Sequence, residues 1–522
     1  MVKMKNYGLY NKIRMENIIY HYARIRAYLL SLLPGKHKKF WKQNYEYVFR
    51  DNCYVGKTNN AIPKGKELFL DEIVTADLIK REDLKKLQSG LRCLLKKYRS
   101  GRYFTGPIEG TEKICSLIEE METTLFNHNN CVRCGIFEFR DNKMRNLIDW
   151  FKIEVQYMNS DYLSVEFTVH LNEDMSNELI ELINMNYSEK RGYAHGSLTA
   201  KHNRTGAFKN YTVAHYNNDL LKADKIYEFT SNIVWNLYNS LHRYIPFVLH
   251  NKGIMPPRIE VYSTNIDYHE NTQNFWESIG IYSYNGQFID EHQKAFFICN
   301  YSSRYEEDTP ENRIMLIYKE SNKKPYDVLS VKSLVNMHID FIGTDYFMLL
   351  FLKIISKESG RIIAKYNHKV DKMKIKKKNL KRLIKTQYKF SREYDNYNRF
   401  IKNTNWENCL NNLRNEFCDN DALIKEHNLS PYTSYKYLFE SAVKRKKRVV
   451  KECTALNAEF NDKRRILQNL YDFKNASKNR RLNIMMFVVA VITLALVIFP
   501  ERAQWLSYIL KSCYHFILHL FI

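Results

Sequence analysis

Glycine and proline are scarce in this chain, at 17 and 10 of 522 residues. That excludes collagen-like and low-complexity classes and leaves little room for long loops. Tyr (38) and Phe (29) are abundant, which excludes a disordered chain and argues for a folded one with a substantial core. The ten cysteines are scattered, so they suggest reduced thiols and no disulfide framework. A C-x2-C pair occurs once, at Cys131 and Cys134 with His128 ahead of it. One such knuckle is half of a zinc site, and no second one completes it. Cys115 could be a fourth ligand, and an ordinary turn is the other reading. There is no G-x-x-x-x-G-K-[ST] phosphate loop, no Ser–His–Asp arrangement and no paired-carboxylate motif. An export signal is also lacking. The apolar run Ala27–Leu33 is short and embedded in an amphipathic pattern from Ile13 to Leu33, so most of the chain is expected in the cytosol.

Acidic residues are outnumbered. Lys+Arg total 81 against 57 Asp+Glu, a formal charge of +24. Between Arg361 and Arg481 there are 31 Lys+Arg and 13 Asp+Glu, a net +18 that is three quarters of the excess. Within it, Lys372–Lys385 and Lys444–Arg448 are dense enough to attract nucleic acid or anionic lipid, and a solvated helical face is the plainer reading. The loop Arg191–Lys209 carries Gly192, His195, Gly196, His202, Arg204, Gly206 and Lys209, which fits nucleotide or anion binding through backbone N–H groups. Asp267/His269/Glu270 and Asp290/Glu291/His292 are metal-friendly clusters without a recognised spacing, and surface polar residues are the plainer reading.

Periodicity predicts helices over 13–33, 76–98, 110–126, 174–187 and 223–243. Strands are expected at Cys134–Arg140, Phe151–Met158, Leu163–His170, 210–216, 258–263, 295–301 and 313–318, with a hairpin turn at Asn159-Ser160-Asp161. This gives an α+β domain over 1–325. Helices follow at 328–356, 361–400 and 404–426. A last helix runs from Pro431 without a break. Val449, Cys453, Leu456, Phe460, Lys463, Leu467, Leu470 and Lys474 form a heptad-like seam on it. Residues 326–481 are thus a basic stalk, packed against copies of itself or against the preceding helices.

Leu482–Phe499 is uncharged, with Asn483 and Thr493 its only polar side chains. Eighteen residues give roughly 27 Å, just enough for a transmembrane helix. After Pro500, Trp505–Ile522 is apolar on one side and carries Gln504, Tyr508, Lys511, His515 and His519 on the other. It either returns through the bilayer or lies on its surface. Residues 482–522 are therefore expected as a transmembrane hairpin in contact with lipid, which makes the protein integral to the cell membrane.

Leu470-Tyr471, Asn475-Ala476-Ser477 and Arg480-Arg481-Leu482-Asn483-Ile484-Met485-Met486, behind a long basic helix and ahead of two terminal apolar segments, resemble CorA-type divalent-cation transporters. The resemblance implies a homopentamer, a funnel of stalk helices and a pore lined by the first membrane helix at Asn483, Met486, Ala490, Thr493 and Val497. Lys474, Lys478, Arg480 and Arg481 would form a cytosolic collar, Glu501 and Arg502 the pore loop, and Lys511, His515 and His519 the polar stripe of the second helix. The family's Gly-Met-Asn signature is replaced by Pro500-Glu501-Arg502-Ala503, so the implied activity is ion conduction with altered selectivity. A divalent cation would be the cargo, and some divergent relatives are membrane effectors of antiviral systems. The alternative is a membrane-anchored sensor whose large domain binds nucleotide, nucleic acid or protein.

Overall fold

The computed structural model describes residues 9–32, 60–100, 110–121, 131–187, 190–195, 212–216, 218–265, 285–288, 295–299, 313–319, 331–374, 379–404 and 434–498, with a few single positions besides. The chain divides into two units. One comprises residues 1–357 and 397–447, the other 358–396 and 448–522.

The first unit is built on an eight-stranded mixed sheet. Its strands are β1 (Leu68–Lys80), β2 (Cys131–Phe137), β3 (Ile148–Asn159), β4 (Tyr162–Leu171), β7 (Arg258–Thr264), β8 (Asn285–Phe288), β9 (Ala295–Cys299) and β10 (Arg313–Lys319). They lie in the order β2-β3-β4-β1-β7-β10-β9-β8, antiparallel except for β7 beside β10. A separate ribbon pairs β5 (Lys190–His195) with β6 (Thr212–Tyr216). The expected turn closes β3 onto β4: Asn159 Oδ1 accepts from Asp161 N (2.9 Å) and Tyr162 N (3.0 Å).

One sheet face carries Ile73, Ile153, Val155, Val165, Phe167, Tyr262 and Ile317 into the main core. Covering it are α2 (Leu84–Tyr98), α3 (Thr111–Glu120), α5 (Glu173–Asn184) and α6 (Asn218–Leu241), with Leu87, Leu91, Ile118, Leu179, Val234 and Tyr238 facing inwards. Gly90 lets α2 approach closely, because a Cβ there would overlap the Tyr244 carbonyl. The short α4 (Asn142–Arg145) is capped by Asp141, whose side chain accepts from Met144 N. On the opposite sheet face the first half of α7 (Val331–Asp371) is tied down by Thr344 donating to Gln156 Oε1 and by Arg133 with Asp340 at 3.4 Å.

Two helical expectations need correction. The predicted helix 76–98 begins as strand β1, which becomes helical only at Leu84 after a 3-10 turn at Arg81–Asp83. β1 is buried on both faces between β4 and β7, with the polar Glu72, Thr75 and Asp77 buried among its apolar residues, so its sequence lacks the strand alternation. The predicted break near 357–360 is absent: α7 runs 41 residues to Asp371, and the next helix is α8 (Leu380–Asn403). The predicted helix 404–426 lies largely outside the described residues.

The membrane hairpin and the integral-membrane placement are also overturned. Among the described residues no helix is long and apolar enough to cross a membrane. The last helix, α9, is Ser434–Ile498, 65 residues in one piece. Its uncharged part among the described residues is Leu482–Ile498. It continues directly from Arg480 and Arg481 with no boundary in the helix. Of the expected second helix only Lys511 is described, and Glu501, Arg502, His515 and His519 lie outside the described residues.

Candidate functional site

The second unit is helical. It combines the end of α7, most of α8 and the later part of α9 around a core of its own. Ile363, Tyr366 and Val370 of α7 meet Leu383, Phe390 and Tyr394 of α8 and Val449, Cys453, Leu456, Phe460 and Leu467 of α9. Phe390 stacks on Phe460 at 5.8 Å and on Tyr394 at 5.4 Å. From Val449 to Leu467 the heptad-like seam of α9 is therefore filled within one chain, by the preceding helices. Lys463, at a seam position, donates to the Val370 carbonyl at 2.8 Å and pairs with Glu459 at 2.7 Å.

This unit holds 24 Lys+Arg against 9 Asp+Glu, a net +15 of the chain's +24. Some of these cations are paired: Arg361 with Glu358, Lys365 with Glu393 at 2.8 Å, and Arg448 with Glu452 at 2.7 Å. The outer side of α8 differs. Arg382, Lys385, Lys389 and Arg392 recur at spacings of 3, 4 and 3, one stripe of a helix, with Lys381 beside it. All five are exposed, and no carboxylate among the described residues pairs with any of them. Leu383, Phe390 and Tyr394 occupy the other side and face the core, which fixes the stripe outwards. Between the cations, Tyr388 is 67 % exposed and Ile384 45 % exposed. A flat ring set among unpaired cations offers both charge and a stacking surface.

The expected collar forms a similar stripe on α9. Lys474, Lys478 and Arg481 are exposed at spacings of 4 and 3, with Arg480 beside them and the partly exposed Tyr471 three residues ahead. Asn483, Met486, Ala490, Thr493 and Val497 are all exposed, but so are Leu482, Phe487, Val489, Val491 and Leu494 on the remaining sides. No single face is set apart, and Thr493 Oγ1 donates to its own helix at Val489 O (2.8 Å).

Strand alternation separates the two knuckle cysteines. Cys134 enters the main core, while Cys131 Sγ lies on the opposite face, 3.8 Å from Glu154 Oε2. Burial pushes both thiols up. His128 is outside the described residues, as are Asp267/His269/Glu270, Asp290/Glu291/His292 and most of the loop 191–209. No cluster of three His, Cys, Asp or Glu side chains suited to a metal occurs among the described residues.

Two buried constellations escape sequence reasoning. On the core face of β7 and β10, Glu260 accepts from Arg258 Nε (2.7 Å), Arg313 Nε (2.9 Å), Thr230 (2.7 Å) and Tyr262 (2.8 Å). Burial raises its pKa, but the Arg313 and Arg258 guanidinium groups outweigh that and hold the carboxyl at about 2. On the other face Glu154 and Glu166 stand opposite each other across β3 and β4. Burial pushes Glu166 well up, with Glu154 and Asp340 adding to it. Alternation in Arg258-Ile-Glu260-Val-Tyr262 was the available signal for the first, since it places all three polar side chains on one face. The α8 stripe had a signal too, in the 3,4,3 spacing of its cations, which continues past the basic run that ends at Lys385. Comparison with known protein families and with curated proteins finds no match to this chain.

Proposed function

We propose that this is a nucleic-acid-binding protein and that the outer face of α8 is its contact surface. The observation that carries the reading is the stripe Arg382–Lys385–Lys389–Arg392. These cations are exposed and have no carboxylate partner among the described residues, while neighbouring cations of the same unit are paired. From Arg382 to Arg392 the stripe is roughly 15 Å long, about the length of four to five nucleotide steps along one strand. Its cations would meet phosphates and contribute affinity without sequence preference. Tyr388 adds a face on which an unpaired base can stack, so single strands are favoured over duplex. Lys474, Lys478 and Arg481 extend the same chemistry along α9.

Fluorescence anisotropy with labelled single-stranded and duplex oligonucleotides over a salt series tests this. Binding should weaken steeply with salt. Lys385→Ala and Lys389→Ala should each reduce the slope of log K against log salt by about 1. Tyr388→Ala should weaken single-strand binding by roughly 5- to 100-fold, and duplex binding far less. Absence of binding at low salt, or binding indifferent to all three substitutions, would refute the reading.

A further inference from the structure

The first helix, α1 (Leu9–Leu32), has two apolar sides. Tyr20, Ala23 and Ala27 form the buried one, where the helix lies against β5 and α6. On the opposite side Met15, Ile18, Tyr22, Ile25, Leu29 and Leu32 follow at spacings of 3, 4, 3, 4 and 3, and each is 54–60 % exposed. The amphipathic pattern that predicts a helix over 13–33 rests on large apolar residues, Ile18, Tyr22, Ile25 and Leu29 among them. The fold uses the small residues instead.

We infer that the exposed stripe is a dimer seam and that its occupant is α1 of a second copy of this chain. Three observations argue for a copy. The first is the spacing. Strict 3,4 alternation over three heptads is the pattern of two helices wound about each other, whereas a helix lying on a sheet shows a broader stripe. The second is symmetry. Every position of the seam is large and apolar, so the surface is complementary to itself under a two-fold axis, the commonest arrangement of soluble oligomers. The third is area. Six such side chains, with Ile19 and Tyr28 at their flank, leave roughly 100 Å² each, or about 800 Å² per copy, which is what a stable pair of proteins covers on each partner. In α9 the comparable seam is already filled by the chain itself from Val449 to Leu467, whereas the six-residue stripe of α1 stays exposed and the flanking Tyr28 meets the ring of Tyr45 at 5.3 Å.

The test is the mass of the full-length protein by sedimentation equilibrium over 0.5–50 µM, beside the Ile18→Lys/Ile25→Lys variant. Wild type should tend to twice 62.6 kDa with rising concentration, and the variant should stay at 62.6 kDa. Both substituted side chains are solvent-exposed in the single chain, so the variant should keep its far-ultraviolet dichroism and its melting temperature in the dilute, monomeric range. A wild type that stays at 62.6 kDa throughout overturns the inference, whatever else covers the stripe. So does an assembly whose mass the double substitution leaves unchanged.

Discussion

Glu260 is the single carboxyl on which two buried guanidinium groups converge. Removing its charge takes the carboxylate partner from the buried Arg258 and one partner from Arg313, so Glu260→Gln should cost about 3–5 kcal/mol of stability, measured by urea unfolding. The pH dependence has a definite sign. The folded pKa of about 2 lies below the ordinary 4.5. The group's contribution, about 3 kcal/mol by linkage, is therefore complete above pH 4.5 and fades as pH falls towards 2. The stability gap between wild type and Glu260→Gln should narrow over that same interval. Gly90 is a second sensitive position. Because a Cβ there collides with the Tyr244 backbone, Gly90→Ala should destabilise by about 1–3 kcal/mol or more, despite the better helix propensity of alanine. Thermal melting of the two proteins decides it.

Among the elements, the second unit depends on a ring stack. Phe460 is fully buried against Phe390, and Phe460→Ala should cost about 3–5 kcal/mol. Amide exchange should accelerate in residues 358–396 and 448–470, and much less in β1, β3 and β4. The hairpin of β3 and β4 was legible because its strands alternate and Asn159-Ser160-Asp161 is a turn by composition. The end of β1 was misread because the 3,4 spacing of Leu84, Leu87 and Leu91 was extended back to Leu78, where pairing with two neighbours makes a strand instead. The helix α1 was legible but its buried side was not, since apolar side chains at exposed and buried positions give the same periodic signal. The basic run was visible as composition. Which of its cations lack partners depends on where Glu393, Glu452 and Glu459 fold, and no local rule contains that.

At the scale of the whole molecule, charge is partitioned: the helical unit holds most of the excess, and the sheet unit is nearly balanced for its size. Binding to polyanions should therefore be weaker at 0.2 M salt than at 0.05 M by a factor of about 10³ if six phosphates are neutralised, measurable by the same anisotropy series. The sheet has a consequence for synthesis. Ile73 on β1 pairs with Val169 on one side and with Glu260 on the other. Its second neighbour is thus encoded 187 residues downstream, and at roughly 5–20 residues per second a ribosome needs about 10–40 s to deliver it. During that interval a greasy strand emerges with an open edge, so nascent chains halted before residue 258 should be clients of holdase chaperones, and chains released after Lys319 should not.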